Sequence, residues 1–294
     1  MSSSPSPQAN RWAPLLFVVL WSTGFIGAKL GLPHAQPLSF LLVRYLLVIS
    51  LMTGLAFAMH APWPTDARQW LHIGVSGLLV HGIYLGGVFK AIALGLPAGV
   101  ASLIVGLQPL LTAIGAGWVL GERVIARQWI GLLLGFVGVL LVVSGKMGVG
   151  GFALSAVGAA LIALVGITVG TLYQKKFCPR FDWRSGAVAQ FVPTAIATAI
   201  IVTLTEDFRI AWVPEFVFAL GWLVLVLSLG AISLLNGLIR RGSAVNMASV
   251  FYLVPPTTAL IAWLLFNETL SGLALVGMAL AIGGVYLAQQ RAAA

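Results

Sequence analysis

His81 and Tyr84 stand three positions apart in the apolar run "LLVHGIYLGG", a spacing that puts both side chains on one face of a helix. The same kind of spacing recurs in other apolar runs. Trp21 and Phe25 are four apart, Thr171 and Gln174 are three apart, and so are Ser249 and Tyr252; Trp222, Asn236 and Gln108 add further polar or aromatic groups. Together these residues offer rings for stacking and neutral groups for hydrogen bonding, which suits the holding of a small molecule. They do not suit bond-making. No nucleophile and base share a helical spacing, there is no HExxH, and no acid lies near the middle of an apolar run.

The elements that must carry these residues follow from composition. Of 294 residues, 60% are hydrophobic and 8% charged, a balance that calls for lipid rather than water around the chain. Windows of about 19 residues give ten apolar stretches, at 13–32, 37–59, 68–92, 97–119, 128–145, 151–174, 185–205, 214–238, 243–266 and 271–289. Each is close to the ~20 residues a helix needs to cross ~30 Å of hydrocarbon. The prediction is an all-α integral membrane protein with ten transmembrane helices. Residues 1–12, polar and rich in Ser and Pro, read as a disordered cytoplasmic tail. The first apolar run has span length and no A-x-A site after it, so it reads as a span and not as a signal peptide. A single Cys178 leaves no intrachain disulfide and no CxxC site, and no cofactor or metal is expected.

Basic residues set the expected orientation. With the N-terminus inside, the cytoplasmic side receives eleven Lys and Arg, among them Arg68, Arg123, Lys175, Arg184 and Arg240, whereas the other side receives Lys29, Lys146 and Arg209. Both termini are therefore expected in the cytoplasm of a cell bounded by a bacterial-type inner membrane. The net charge of +9 is explained by this topology, and no nucleic-acid partner is expected. Trp12, Trp63, Trp70, Trp129, Trp183 and Trp212 fall at span ends, where indole rings belong in the headgroup belt.

The chain also repeats itself. A shift of 146 residues carries Pro109 of "VGLQPLLTAI" onto Pro255 of "FYLVPPTTAL", Glu122 onto Glu268, Thr112 onto Thr258, Gly131 onto Gly277 and Gly138 onto Gly284. It reaches back to Gly24 with Gly170, Lys29 with Lys175, and Leu79-Val80 with Leu225-Val226. Residues 13–147 and 148–294 are thus read as two copies of a five-helix unit. Five is odd, so the second copy enters the membrane inverted, the arrangement in which a binding site lies near the midplane between halves that can rock.

The motifs resemble a known family. "LWSTGFIGAKLGLP" followed by "LSFLLVRYLLV", and the mid-span proline, Gly-Glu turn and Gly-rich last span of residues 102–142 with their repeat at 249–287, resemble the EamA family of the drug/metabolite transporter (DMT) superfamily. Within it the chain is similar to YddG-type bacterial amino-acid exporters. The resemblance implies ten helices around a central cavity, and transport of a small-molecule substrate, most suitably an amino acid, aromatic ones included. The halves differ: Asn267 replaces Gly121, and Gln190 replaces Arg44.

Several roles can then be assigned as expectations. The fifth and tenth spans, "IGLLLGFVGVLLVV" and "LALVGMALAIGGV", lack polar side chains and carry small residues, so they read as scaffold, with a monomer or homodimer as the assembly. Substrate contact is assigned to Trp21, Phe25, His81, Tyr84, Gln108, Thr171, Gln174, Trp222, Ser249 and Tyr252. His81 stands out because an ionisable group at mid-depth is costly. Arg44 lies inside a span with no carboxylate to pair it; the family also tends to carry Arg there, and a structural or gating role is assigned. Pro109, Pro255 and Pro256 break their helices at mid-depth and are read as hinges. The seven acids lie in loops or at span ends, which disfavours a proton-coupled exporter of lipophilic cations. A multidrug, purine or sugar exporter of the same superfamily remains the alternative.

Overall fold

The structure, a computed structural model, describes residues 9–96, 98–144, 153–178, 180–241, 243–266 and 272–289. Apart from one isolated antiparallel bridge between Ala35 and Ile210, the regular structure of these residues is helical. Helix α1 spans Ala9–Gly31 and α2 Pro37–Ala58. A single rod follows: α3 (Ala67–Gly77), a π-helical segment Leu78–Leu85, and α4 (Gly86–Ala93). After it come α5 (Ala98–Val105), α6 (Gln108–Leu120) and α7 (Ala126–Ser144).

The second half repeats the sequence of elements. Helix α8 covers Leu154–Phe177 and α9 Trp183–Thr205. A second rod joins α10 (Pro214–Trp222) through a π-helical segment Leu223–Ala231 to α11 (Ile232–Arg241). Helix α12 (Ala244–Ser249) passes through a 3-10 turn, Val250–Leu253, into α13 (Val254–Phe266), and α14 (Gly272–Gln289) closes the described chain. Among the described residues seven helices are long and apolar enough to cross a membrane, and Gln108–Leu120 and Ala126–Leu141 are shorter apolar helices. Leu46, Leu47, Ile162, Val165, Ile196 and Ile200 all face outward, an arrangement suited to hydrocarbon and not to water. The chain is a multi-pass membrane protein.

Helix boundaries follow the apolar runs to within a few residues, and their starts obey local chemistry. Pro37 and Pro214 sit in first turns, where a missing N–H costs nothing. Asp182 caps α9 by accepting from Arg184 N–H at 2.9 Å, and Ser243 caps α12 by accepting from Asn246 N–H at 3.0 Å. Carboxylates are also placed across the fold. Glu206, at the end of α9, accepts from the N–H groups of Leu38 and Ser39 and from the Ser39 hydroxyl, at the positive end of α2. Glu122 does the same for α12, with both oxygens on the Ala244 N–H at 3.1 and 3.0 Å and the Lys175 ammonium 4.0 Å away.

The prolines break their helices where sterics require. A proline clashes with the carbonyl four residues earlier, which for Pro109 belongs to Val105, the last residue of α5. For Pro255 and Pro256 those carbonyls belong to Phe251 and Tyr252, in the 3-10 turn before α13.

The 146-residue shift relates contacts as well as letters. Gly131 faces Gly284 and Gly138 faces Gly277; in each case a Cβ added to the first would stand 2.6 Å from the carbonyl oxygen of the second. The shift exchanges these two contacts. It likewise exchanges Gly166 against Tyr84 with Gly230 against Leu20, and it carries the first π-helical segment onto the second to within one residue. Helices α7 and α14 pack most closely on each other, small residues opposed to backbone, and also touch α5, α12, α13 and the 3-10 turn before α13.

Candidate functional site

A narrow cavity of about 30 Å³ lies where α1, α2, the α3–α4 rod and the α10–α11 rod meet. Its wall includes Trp21, Phe25, Tyr84 and Phe89, with Leu227 from the second π segment and Arg44 as its charged group. A smaller cavity of about 10 Å³ shares Trp21, Phe25 and Tyr84 with it and adds Ser102, Gly106, Phe251 and Pro255 from the two broken helices. The two spaces adjoin across one aromatic cluster. Trp21 and Tyr84 lie nearly parallel, 8° apart with centroids at 6.1 Å, while Phe251 meets Trp21 edge-on at 5.6 Å.

Local structure explains how these side chains arrive there. The π-helical turns shift the register of both rods, so Tyr84 and Leu227 turn toward α1 while a backbone carbonyl is left for an outside donor. Tyr45 O–H donates to the His81 carbonyl at 2.6 Å. The break before α13 brings the Val254 carbonyl within 3.2 Å of the Ser22 hydroxyl on α1, and Ser22 also donates to Val18 O at 2.7 Å.

Arg44 is 1% exposed. Its Nε and Nη2 both point at the Ser228 hydroxyl, at 3.3 and 3.2 Å, and that hydroxyl donates onward to the Leu223 carbonyl at 3.0 Å. Its Nη1 is buried and has no hydrogen-bond partner among the described residues. Among the described residues no acidic side chain lines either cavity.

Of the substrate-contact residues expected from sequence, Trp21, Phe25 and Tyr84 are brought together here; of the hinge residues, Arg44 and Pro255 line the same space. The others lie elsewhere. His81 stacks on Phe191 with centroids 4.2 Å apart, outside the lining of both cavities, and neither ring nitrogen has a hydrogen-bond partner among the described residues. Trp222 is 37% exposed and its indole N–H donates to the Thr23 hydroxyl at 2.9 Å. Thr171 donates back to its own helix, at Ile167 O and Thr168 O, and Ser249 to Asn246 O. Tyr252 packs in a separate cluster with Leu132, Val139 and Val285, pressed against Gly135. Gln108 and Pro109 are buried at the start of α6, and the Gln108 amide has no partner among the described residues. Pro256 is buried in α13.

Gln174 and Asn236 belong to a polar chain. Gln190 donates to the Ser76 hydroxyl at 3.1 Å and to Gln174 Oε1 at 3.2 Å, and Gln174 donates to Asn236 Oδ1 at 2.9 Å. Asn236 lies about one turn beyond the cavity residue Ile232 along α11, toward Arg240. The chain therefore crosses the bundle between the cavity and the end that carries the basic loops. Sequence reasoning missed Gln190 as a member, although the 146-residue shift marks it as the counterpart of Arg44. Ser228 and Ser76 carry no such signal.

Comparison with known proteins gives consistent results. The EamA-like transporter family matches residues 12–144 and 154–289. A "Probable amino-acid metabolite efflux pump" of Salmonella typhimurium is 27% identical, the alignment covering 93% of this chain and 92% of that protein. An "Uncharacterized transporter YvbV" of Bacillus subtilis is 28% identical over 97% and 93%. Among solved structures, one titled "Crystal structure of protein" superposes with a TM-score of 0.78 at 24% identity, covering 96% of this chain and 97% of that one, which shows the shared fold.

Proposed function

The chain belongs to the EamA-like transporter family, and on that premise we propose that it is a carrier, not an enzyme, that exports amino acids, aromatic ones included, by alternating access between two inverted five-helix repeats. The observation that carries this reading is the shared cavity: its wall takes Trp21, Phe25 and Tyr84 from the first half and Leu227, Phe251 and Pro255 from the second. A site built from both halves changes its access when they move against each other.

In this reading ten helices cross a bacterial inner membrane with both termini cytoplasmic, the broken helices counting as spans. The Ser76–Gln190–Gln174–Asn236 chain then closes the cavity toward the cytoplasm, and the prolines of α6 and α13 let the helix halves part. Exchange of the members of this polar chain for water would open the path, each net hydrogen bond contributing about 1 kcal/mol to closure.

Reconstituted liposomes test the reading. Radiolabelled phenylalanine is expected to cross faster than in protein-free vesicles and to be competed by unlabelled amino acids. Competition by cationic dyes, with none by amino acids, would assign the chain to multidrug export instead.

A further inference from the structure

A buried cation without a counter-ion is costly in any membrane protein. Among the described residues Arg44 is such a group: a guanidinium 1% exposed, in the wall of the larger cavity, with two of its nitrogens sharing one neutral hydroxyl at 3.2 and 3.3 Å and the third without a partner. The Ser228 bonds are long for a charged donor, for which about 2.7–2.9 Å is usual. The rest of the lining is mainly aromatic and aliphatic, Phe25, Tyr84, Leu85, Val88 and Phe89 among it. The cavity therefore has one strong preference in charge and one in shape.

We infer that Arg44 is the anchor for the substrate's carboxylate, and that the site selects an apolar or aromatic body bearing that anion, with no requirement for an ammonium group. This rests on the carrier reading above and names the substrate class of the same site. The planar fork of Arg matches the two oxygens of a carboxylate, so Nη1 together with Nη2 can hold it bidentately while Ser228 keeps the guanidinium oriented through Nε. The apolar body then lies against the Trp21, Phe25 and Tyr84 rings. For an ammonium group the described lining of the two cavities offers no acid. Deaminated acids are accordingly substrates of the same standing as amino acids.

The test uses the full chain in nanodiscs with three probes of similar shape: phenylalanine, phenylalaninamide and 3-phenylpropionate. Binding is read by calorimetry or by thermal shift, and transport by counterflow in liposomes. In the wild type the two carboxylates are expected to bind with comparable affinity and the amide roughly ten- to hundred-fold more weakly, the range for losing a charged hydrogen bond. Arg44→Gln is expected to erase the difference, with gel filtration and melting temperature checking its fold. The wild-type comparison decides even if that variant does not fold. Equal binding of acid and amide, or no binding by any probe, overturns the inference. Transport of phenylalanine that the amide inhibits equally well would leave the carrier reading standing and remove Arg44 as anchor. Selective binding of 3-phenylpropionate with no phenylalanine transport would keep the anchor and remove the amino-acid reading.

Discussion

A Cβ placed on Gly131 would stand 2.5 Å from the backbone nitrogen of Ala288 and 2.6 Å from the carbonyl oxygen of Gly284, so α7 and α14 touch backbone to backbone. No side chain can be withdrawn to make room. Gly131→Leu is expected to cost at least ~2 kcal/mol of stability, the order of an overpacked core. Because the shift of 146 residues exchanges the Gly131–Gly284 and Gly138–Gly277 contacts, Gly138→Leu should cost a similar amount. Melting temperatures of the detergent-purified variants check both, and a harmless Gly138→Leu would argue that the two contacts are not equivalent.

Two tryptophans that look alike in the sequence separate in the structure. Trp21 is 5% exposed and forms part of the cavity wall, whereas Trp222 is 37% exposed and bonds to Thr23. Trp21→Ala should lower flux by roughly ten-fold or more, ~1.4 kcal/mol being a factor of ten. Trp222→Phe removes one partly exposed hydrogen bond and should leave flux within about two-fold. Tyr84→Ala belongs with Trp21, and Tyr84→Phe, which keeps the ring, should be mild. Initial rates of phenylalanine counterflow at matched protein content measure all four.

The acidic cap of α9 gives a pH dependence. Arg184 donates to Asp182 through its side chain and its backbone N–H, and these bonds hold the Asp182 carboxyl below its ordinary value of 3.8. A folded pKa below the unfolded one stabilises the fold above about pH 3.8, and that stabilisation fades as pH falls through the lower folded value. Asp182→Asn keeps an acceptor for the cap and removes the charge. The melting-temperature gap between wild type and Asp182→Asn should be full at pH 6 and shrink below pH 4; a gap constant across that range would show that the ion pair contributes nothing there.

Legibility divided along physical lines. Helix positions were readable because lipid demands long apolar runs, and the boundaries at Pro37 and Pro214 needed only the proline's missing donor. The repeat was readable from Pro109 and Pro255 because a helix break leaves a mark in the letters. The site was legible only in part. Spacing of three or four residues says that His81 and Tyr84 share a face, but not which neighbour the face meets, and the π-helical turn at Leu78–Leu85 sends Tyr84 to the cavity and His81 to Phe191. That turn has no composition signature, since it is held by tertiary partners such as the Tyr45 hydroxyl. Arg44 reads as a costly buried charge in the sequence; that it lines a cavity, with one nitrogen lacking a partner among the described residues, needs three dimensions.

The doubled proline of α13 sets the last expectation. Pro255 lines the smaller cavity, and the 3-10 turn Val250–Leu253 precedes it, whereas the first half makes its break with Pro109 alone and Leu110 beside it. Replacing Pro255 and Pro256 by Ala restores two N–H donors, whose natural acceptors are the Phe251 and Tyr252 carbonyls. The helix can then run straight through the break, carrying Phe251 away from Trp21 and stiffening the joint. If the break serves as a hinge, the double variant folds, melts at the same temperature or higher, and transports several-fold more slowly. If the break only shapes the static wall, Pro109→Ala and the double variant should both alter apparent affinity and leave the maximal rate unchanged. A folded double variant with wild-type rate and affinity would remove the prolines from the mechanism, and the measurement is a concentration series of counterflow on the three proteins side by side.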